Sequence, residues 1–164
     1  MSADAVDVVP MEARHAARVL EIYGEGIATG VATFDTTVPD WTAWHAAHRP
    51  DCRFVALVEG EVAGFVALTP YSSRAVYSGV AWESVYVGAA FRGRGVGRVL
   101  LDALIPASEA AGIWTLMAGI QAENAPSIAL HEAAGFRRLG VQERVGRDAA
   151  GVWRDVILME RRRD

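Results

Sequence analysis

The stretch that most constrains this chain is Val85-Tyr86-Val87-Gly88-Ala89-Ala90-Phe91-Arg92-Gly93-Arg94-Gly95-Val96-Gly97-Arg98, followed by apolar Val99-Leu100-Leu101. An apolar strand ending at Val87 enters a turn rich in glycine and arginine. A helix comes next, with Val96, Val99, Leu100, Ala103 and Leu104 on one face. Glycines at alternate positions let the backbone approach a ligand and present its N–H groups. The helix N-terminus adds partial positive charge, and Arg92, Arg94 and Arg98 add full charges. The segment is suited to holding phosphate.

Two common phosphate loops do not fit. A dinucleotide fingerprint beginning at Gly93 needs glycine at its sixth position, which is Arg98, and the chain contains no Gly-Lys-Ser/Thr tripeptide. What remains is Arg92-x-x-Gly95-x-Gly97, which resembles the pyrophosphate-binding signature of the GCN5-related N-acetyltransferases (GNAT). A second block, Glu123-Asn124-Ala125-Pro126-Ser127-Ile128-Ala129-Leu130-His131-Glu132-Ala133-Ala134-Gly135-Phe136, resembles the segment after the fifth strand of that family. Thr33-Phe34 with Pro39, Arg74-x-x-Tyr77, Val85-Tyr86-Val87 and Gly151-Val152-Trp153-Arg154-Asp155 resemble its phosphinothricin and methionine sulfoximine acetyltransferase branch. The resemblance covers residues 6–160, read as one N-acetyltransferase domain.

Reading the chain in order gives a first strand at Val6 to Val9 and a helix opened by Pro10. Gly24, Gly26 and Gly30 loosen the next segment, and Thr29 to Pro39 reads as a loop. A helix over Asp40 to His48 has Asp40 as its N-cap. Arg53 to Glu59 and Glu61 to Thr69 form a hairpin, and Tyr77 to Val87 is the next strand. Then come a helix over Val96 to Ala111, a strand at Trp114 to Ile120 and a helix from Asn124 to Ala134, with Gly112 and Gly135 as stops. Phe136 to Val145 and Val152 to Glu160 are the closing strands. The expected fold is α/β: a single-domain, mixed, mostly antiparallel central sheet flanked by helices, with the glycine turn leaving a central strand, where ligands bind in open sheets.

Composition narrows the function classes. Apolar residues make up 52% of 164 and charged residues 22%, which excludes wholesale disorder. A net charge of −4 disfavours general nucleic-acid binding, and Arg161-Arg162-Arg163 reads as a solvated tail. Cys52 is the only cysteine, so neither an internal disulfide nor a cysteine metal cluster is expected. His45 and His48 lack further ligands, and both they and His15 read as surface residues. Met1 to Pro10 lacks a signal-peptide core and no run approaches the about 18 apolar residues of a membrane span. A cytoplasmic location is expected, with no membrane, nucleic-acid or metal partner.

The resemblance implies residue roles. The backbone of Val85, Tyr86 and Val87 would pair with the pantetheine arm of acetyl-CoA like an added strand. Arg92, Gly93, Arg94, Gly95, Val96, Gly97 and Arg98 would hold the pyrophosphate, and Asn124 and Ser127 would contact the cofactor. Phe34, Arg74 and Tyr77 would line the acceptor pocket, with Arg74 matching an anionic group. Relatives place a glutamate four residues before the tyrosine of Val-Tyr-Val. Here that position is Trp82, and the glutamate stands one step later, at Glu83. Adjacent strand residues face opposite sides, so a bulge re-aims Glu83 into the cleft as the base, or the proton leaves through ordered water or another group, or Glu83 is a solvent-facing residue. Trp82 would shape the acceptor site. His131 stands where relatives often have the tyrosine that protonates the departing thiolate, and it serves as that acid or packs under the sheet.

The implied reaction is direct attack of a deprotonated amine on the thioester of acetyl-CoA. The implied acceptor is a small amino-acid-like molecule of the phosphinothricin or methionine sulfoximine type. Acetylation of a polyamine, aminoglycoside or protein N-terminus, and acetyl-CoA binding without catalysis, stay open. A homodimer is expected by analogy.

Overall fold

A computed structural model describes residues 5–163. Strands β1 (Val6–Pro10), β2 (Phe54–Val58), β3 (Glu61–Pro70), β4 (Val80–Val87), β5 (Thr115–Gln121), β6 (Arg137–Arg147) and β7 (Trp153–Arg162) form one sheet. Its order is β1-β2-β3-β4-β5-β7-β6. Every neighbouring pair is antiparallel except the central β4–β5 pair, which is parallel. Helices α1 (Ala16–Ala28) and α2 (Trp41–Ala47) cover one face; α3 (Val96–Ala110) and α4 (Ala125–Ala133) cover the other.

Each layer arises from a local signal. Val19, Ile22 and Tyr23 of α1 pack with Trp44 on Val55, Phe65 and Ala67. On the opposite face Leu100, Leu101 and Leu104 of α3 are fully buried against Ala56, Val66 and Leu68. The Asp40 carboxylate accepts the Ala43 N–H at 2.8 Å and caps α2. The β2–β3 turn sets Glu59 and Gly60 at φ 51° and 83°, the left-handed pair that suits a two-residue hairpin.

Several local expectations need correction. Pro10 ends β1 rather than opening a helix; a single 3₁₀ turn at Ala13–His15 precedes α1. Gly24 and Gly26 do not loosen the chain, because α1 continues to Ala28. At Gly26 a Cβ would lie 2.7 Å from the Tyr86 ring, so glycine there serves close packing of helix on sheet. His15 is buried, and its Nδ1 accepts the Glu12 N–H at 3.0 Å. His48 is also partly buried, its ring stacked 3.9 Å from that of Trp44. Tyr77 lies in a second 3₁₀ turn (Ala75–Tyr77), and β4 begins only at Val80.

Candidate active site

The site is made by two strands that part. β4 and β5 pair only at Val80–Thr115, Ala81–Leu116 and Trp82–Met117, although β4 runs on to Val87 and β5 to Gln121. β3 satisfies one edge of β4 through Gly64–Val87, while the edge facing β5 is unpaired beyond Trp82. Unpaired N–H and C=O groups on an inner strand are a template for an extended chain bearing amides. Beside that edge lies a cavity of about 660 Å³, bounded by Val85, Tyr86 and Val87, the glycine turn, the start of α4 and the end of α1.

The turn is shaped for an anion. Gly93 and Gly95 take φ of 75° and 80°, and Gly95 is the N-cap of α3 with no side chain bonded to the first amides. Those N–H groups have no intrahelical partner and point, with the helix dipole, toward the cavity end. Arg92, Gly93, Gly95, Val96, Gly97 and Arg98 all border the cavity, as do Asn124 and Ser127. Arg94 instead lies over the Phe91 ring at 5.3 Å. Arg98 donates to Asp102 Oδ1 and to the Ala133 carbonyl, both at 2.8 Å, so it contributes a positioned field rather than an open fork. Asn124 caps α4 by accepting the Ser127 N–H at 3.3 Å and donates to the Val31 carbonyl at 3.4 Å, tying the α1 loop over the cavity.

Where the strands part, a narrower gap of about 70 Å³ opens between residues 83–86 of β4 and 118–121 of β5. Glu83 and His131 meet there. The β3–β4 register runs without slip from Gly64–Val87 to Pro70–Ala81, so no bulge re-aims Glu83. Its side chain lies on the α3/α4 face with Ala81 and Val85, and it is buried rather than solvent-facing. The Glu83 carboxyl is bonded through Oε1 to His131 Nε2. His131 Nδ1 lies 2.6 Å from the Ser127 carbonyl, which only accepts, so Nδ1 carries a proton and one further proton is shared between Nε2 and Glu83. Burial opposes the imidazolium, but the charge and hydrogen bond of Glu83 and the Ser127 carbonyl outweigh it and raise the His131 pKa. Both ring nitrogens are engaged, so His131, expected to face a thiolate as the acid, meets Glu83 and the Ser127 carbonyl instead.

On the other face a cavity of about 470 Å³ lies between β3, β4 and α1–α2, bordered by Tyr23, Thr33, Asp35, Trp44, His48 and Ser84. The Tyr23 hydroxyl donates to Asp35 Oδ2, and burial together with that bond pushes its pKa up to about 12. The four expected acceptor residues border none of these three cavities. Arg74 and Tyr77 are exposed and stacked together at 5.5 Å; Tyr77 meets Tyr71 and Tyr71 stacks on Trp82, each at 5.8 Å. Trp82 reaches Gly119 of β5, where a Cβ would lie 3.7 Å from its ring, and Phe34 covers Gly146 of β6. Tyr77, Tyr71 and Trp82 form one aromatic tract, with Trp82 on the sheet face that carries Ser84 and Tyr86; Phe34 stands apart over β6. Sequence reasoning missed Gln121, Ser84 and Tyr23 as site residues. A polar residue closing the apolar run Leu116 to Ile120 was the available signal for Gln121.

An uncapped helix start, a free strand edge and a long cavity together fit a diphosphate joined to an amide-bearing arm. Among the described residues no group of His, Cys, Asp and Glu is placed to hold a metal, and no helix is long and apolar enough to cross a membrane.

The family model described as "Acetyltransferase (GNAT) family" matches residues 20–136. A phosphinothricin N-acetyltransferase of Alcaligenes faecalis is 35% identical over 149 residues, spanning 87% of this chain and 75% of that protein. An L-methionine sulfoximine/L-methionine sulfone acetyltransferase of Pseudomonas aeruginosa is 30% identical over 148 residues, 87% of this chain and 86% of that one. In structure, a GNAT superfamily phosphinothricin acetyltransferase from Sinorhizobium meliloti, solved in complex with AcCoA, superposes with a TM-score of 0.86 and 29% identity, over 96% and 88% of the two chains.

Proposed function

The chain belongs to the GNAT acetyltransferase family, and as such it is an acetyl-CoA-dependent N-acyltransferase. We propose that its acceptor is the amine of a small amino-acid-like molecule of the phosphinothricin or methionine sulfoximine type, the compounds named for its relatives. The observation that carries a catalytic reading, rather than one of binding alone, is the buried carboxyl of Glu83 at the point where β4 and β5 part.

In this reading the free edge of Val85, Tyr86 and Val87 receives the pantetheine amides. The amides of Gly93 to Arg98 and the charge of Arg92 hold the diphosphate, with Arg94, Asn124 and Ser127 at its margins. Bound acetyl-CoA supplies an activated acetyl carbonyl. The residues of this chain manage protons: an amine is mostly ammonium at neutral pH and must lose a proton before it attacks. Glu83 is the base and hands a proton back toward the leaving sulfur, while His131, with both ring nitrogens engaged, positions Glu83 through the shared proton. The backbone N–H groups of β4 beside the gap stabilise the developing oxyanion. Arg74 takes the acceptor's anionic group, with Tyr77, Phe34 and Trp82 framing its body.

Leu139, Val141, Val145, Val152 and Trp153 are exposed along β6 and the start of β7, an apolar edge that supports pairing of two copies. We read the protein as a cytoplasmic homodimer whose catalytic domain spans residues 6–160.

Thiol release with phosphinothricin, methionine sulfoximine, ordinary amino acids, spermidine and an aminoglycoside tests this reading. Turnover concentrated on the first two, with Arg74→Gln raising the KM for them, supports it. Preferred turnover of the polycations would overturn the role of Arg74. Acetyl-CoA binding with no turnover of any amine would overturn the enzyme reading.

A further inference from the structure

Gln121 ends β5 with only 4% of its surface exposed. Its Oε1 and Nε2 are both buried with no hydrogen-bond partner among the described residues, and the same holds for Glu83 Oε2. All three atoms belong to residues that wall the gap between β4 and β5. A buried polar group left unpaired is destabilising, and three such atoms around one small space mark it as built for a polar occupant. The gap measures about 70 Å³, and at about 30 Å³ per water it has room for two.

The placement has a direction. Side chains of β5 alternate, with Leu116, Ala118 and Ile120 in the core under α3 and α4 and Gln121 turned to the face that carries Ser84 and Trp82. Glu83 lies on the α3/α4 side. The gap is therefore a passage through the sheet, with the carboxylate at one mouth and the Gln121 amide at the other. The titratable groups that face it are Glu83, Tyr86 and His131.

We infer that Gln121 is a positioning residue that holds a water relay in this gap, through which an acceptor amine on the Ser84 face delivers its proton to Glu83 Oε2. The inference rests on the acetyltransferase reading and explains how Glu83 serves an acceptor on the opposite face without a bulge. The amide is suited to the place because its oxygen accepts from one water and its N–H donates to the next. The ammonium loses one proton through the relay to Glu83 before the C–N bond forms and a second from the same nitrogen afterward. As the C–S bond breaks, one of the two reaches the sulfur and the other leaves to solvent, so the protons balance.

Two measurements on the full chain decide it. A crystal structure of the protein without ligand should show ordered water within hydrogen-bond distance of both Glu83 Oε2 and the Gln121 amide. Gln121→Leu, which keeps the volume, should lower kcat about ten- to hundredfold near neutral pH. The KM for acetyl-CoA should stay unchanged, and the deficit should narrow as rising pH deprotonates the acceptor in bulk. A dry gap, a loss independent of pH, or a change confined to the acceptor KM would overturn the relay. A wild-type protein that turns over no amine would overturn the function instead, and the water in the unliganded crystal would still judge the gap.

Discussion

Glu83 on β4 and His131 on α4 share a hydrogen bond beneath the sheet, and each side chain is only 2% exposed. The pair is neutral in total, whether the shared proton rests on the imidazole or on the carboxyl. That neutrality lets two ionisable groups occupy an interior where an unpaired charge would cost several kcal/mol.

The His131 pKa is raised from its ordinary 6.5. A raised folded-state pKa stabilises fully below the unfolded value and is lost as pH climbs through the folded one. The stability difference between wild type and His131→Gln should therefore be largest at and below about pH 6.5 and shrink above it. His15 and His48, whose pKa values burial lowers, act in the opposite sense and are common to both proteins. Urea unfolding midpoints between about pH 5.5 and 9 check this. A difference that grows with pH would contradict the assignment.

Gly26→Ala opposes two effects. Alanine gains about 1 kcal/mol of helix propensity, but its Cβ would lie 2.7 Å from the Tyr86 ring. That ring is held between Tyr23 and Phe65, with centroids at 5.1 and 5.4 Å, and has little room to yield. Overpacking of this kind costs about 1–3 kcal/mol, so the variant should be net destabilised, with Tm lower by about 2–4 °C. A higher Tm by calorimetry would show that the ring moves freely.

Gly95→Ala places a Cβ at φ 80°, where the strain is about 1–2 kcal/mol. Relief of that strain would rotate the first amides of α3 away from the diphosphate. The KM for acetyl-CoA should rise about tenfold with kcat little changed. Gly60→Ala, at φ 83° in the remote β2–β3 hairpin, carries similar strain and should lower stability with no change in KM.

Element order was legible in the chain because its punctuation is chemical: Asp40 and Asn124 cap, Gly112 and Gly135 stop, and Glu59-Gly60 turns. The phosphate turn was legible for the same reason, since glycines at left-handed positions and a helix start are local features. What was not legible depends on distant partners. Gly26 reads as a helix breaker until Tyr86, on another element, requires the space. His15 reads as a surface residue until the Glu12 amide claims its Nδ1. Alternation correctly put Glu83 and Trp82 on opposite faces, yet it carries no sign that β4 and β5 separate there and open a passage between the faces. Arg74 and Tyr77 were placed by motif, and their stacking with Tyr71 and Trp82 is a tertiary fact.

The most direct measurement is the pH dependence of kcat for wild type and Glu83→Gln with methionine sulfoximine as acceptor. The amide keeps a partner for His131, so the fold should survive. With Glu83 as the base, the variant should lose about 10²–10⁴-fold in kcat near neutral pH. It should keep the wild-type KM for acetyl-CoA and recover part of the loss as the acceptor deprotonates in alkaline solution. Equal kcat for the two proteins across the pH range would show that the buried carboxyl takes no part in the transfer.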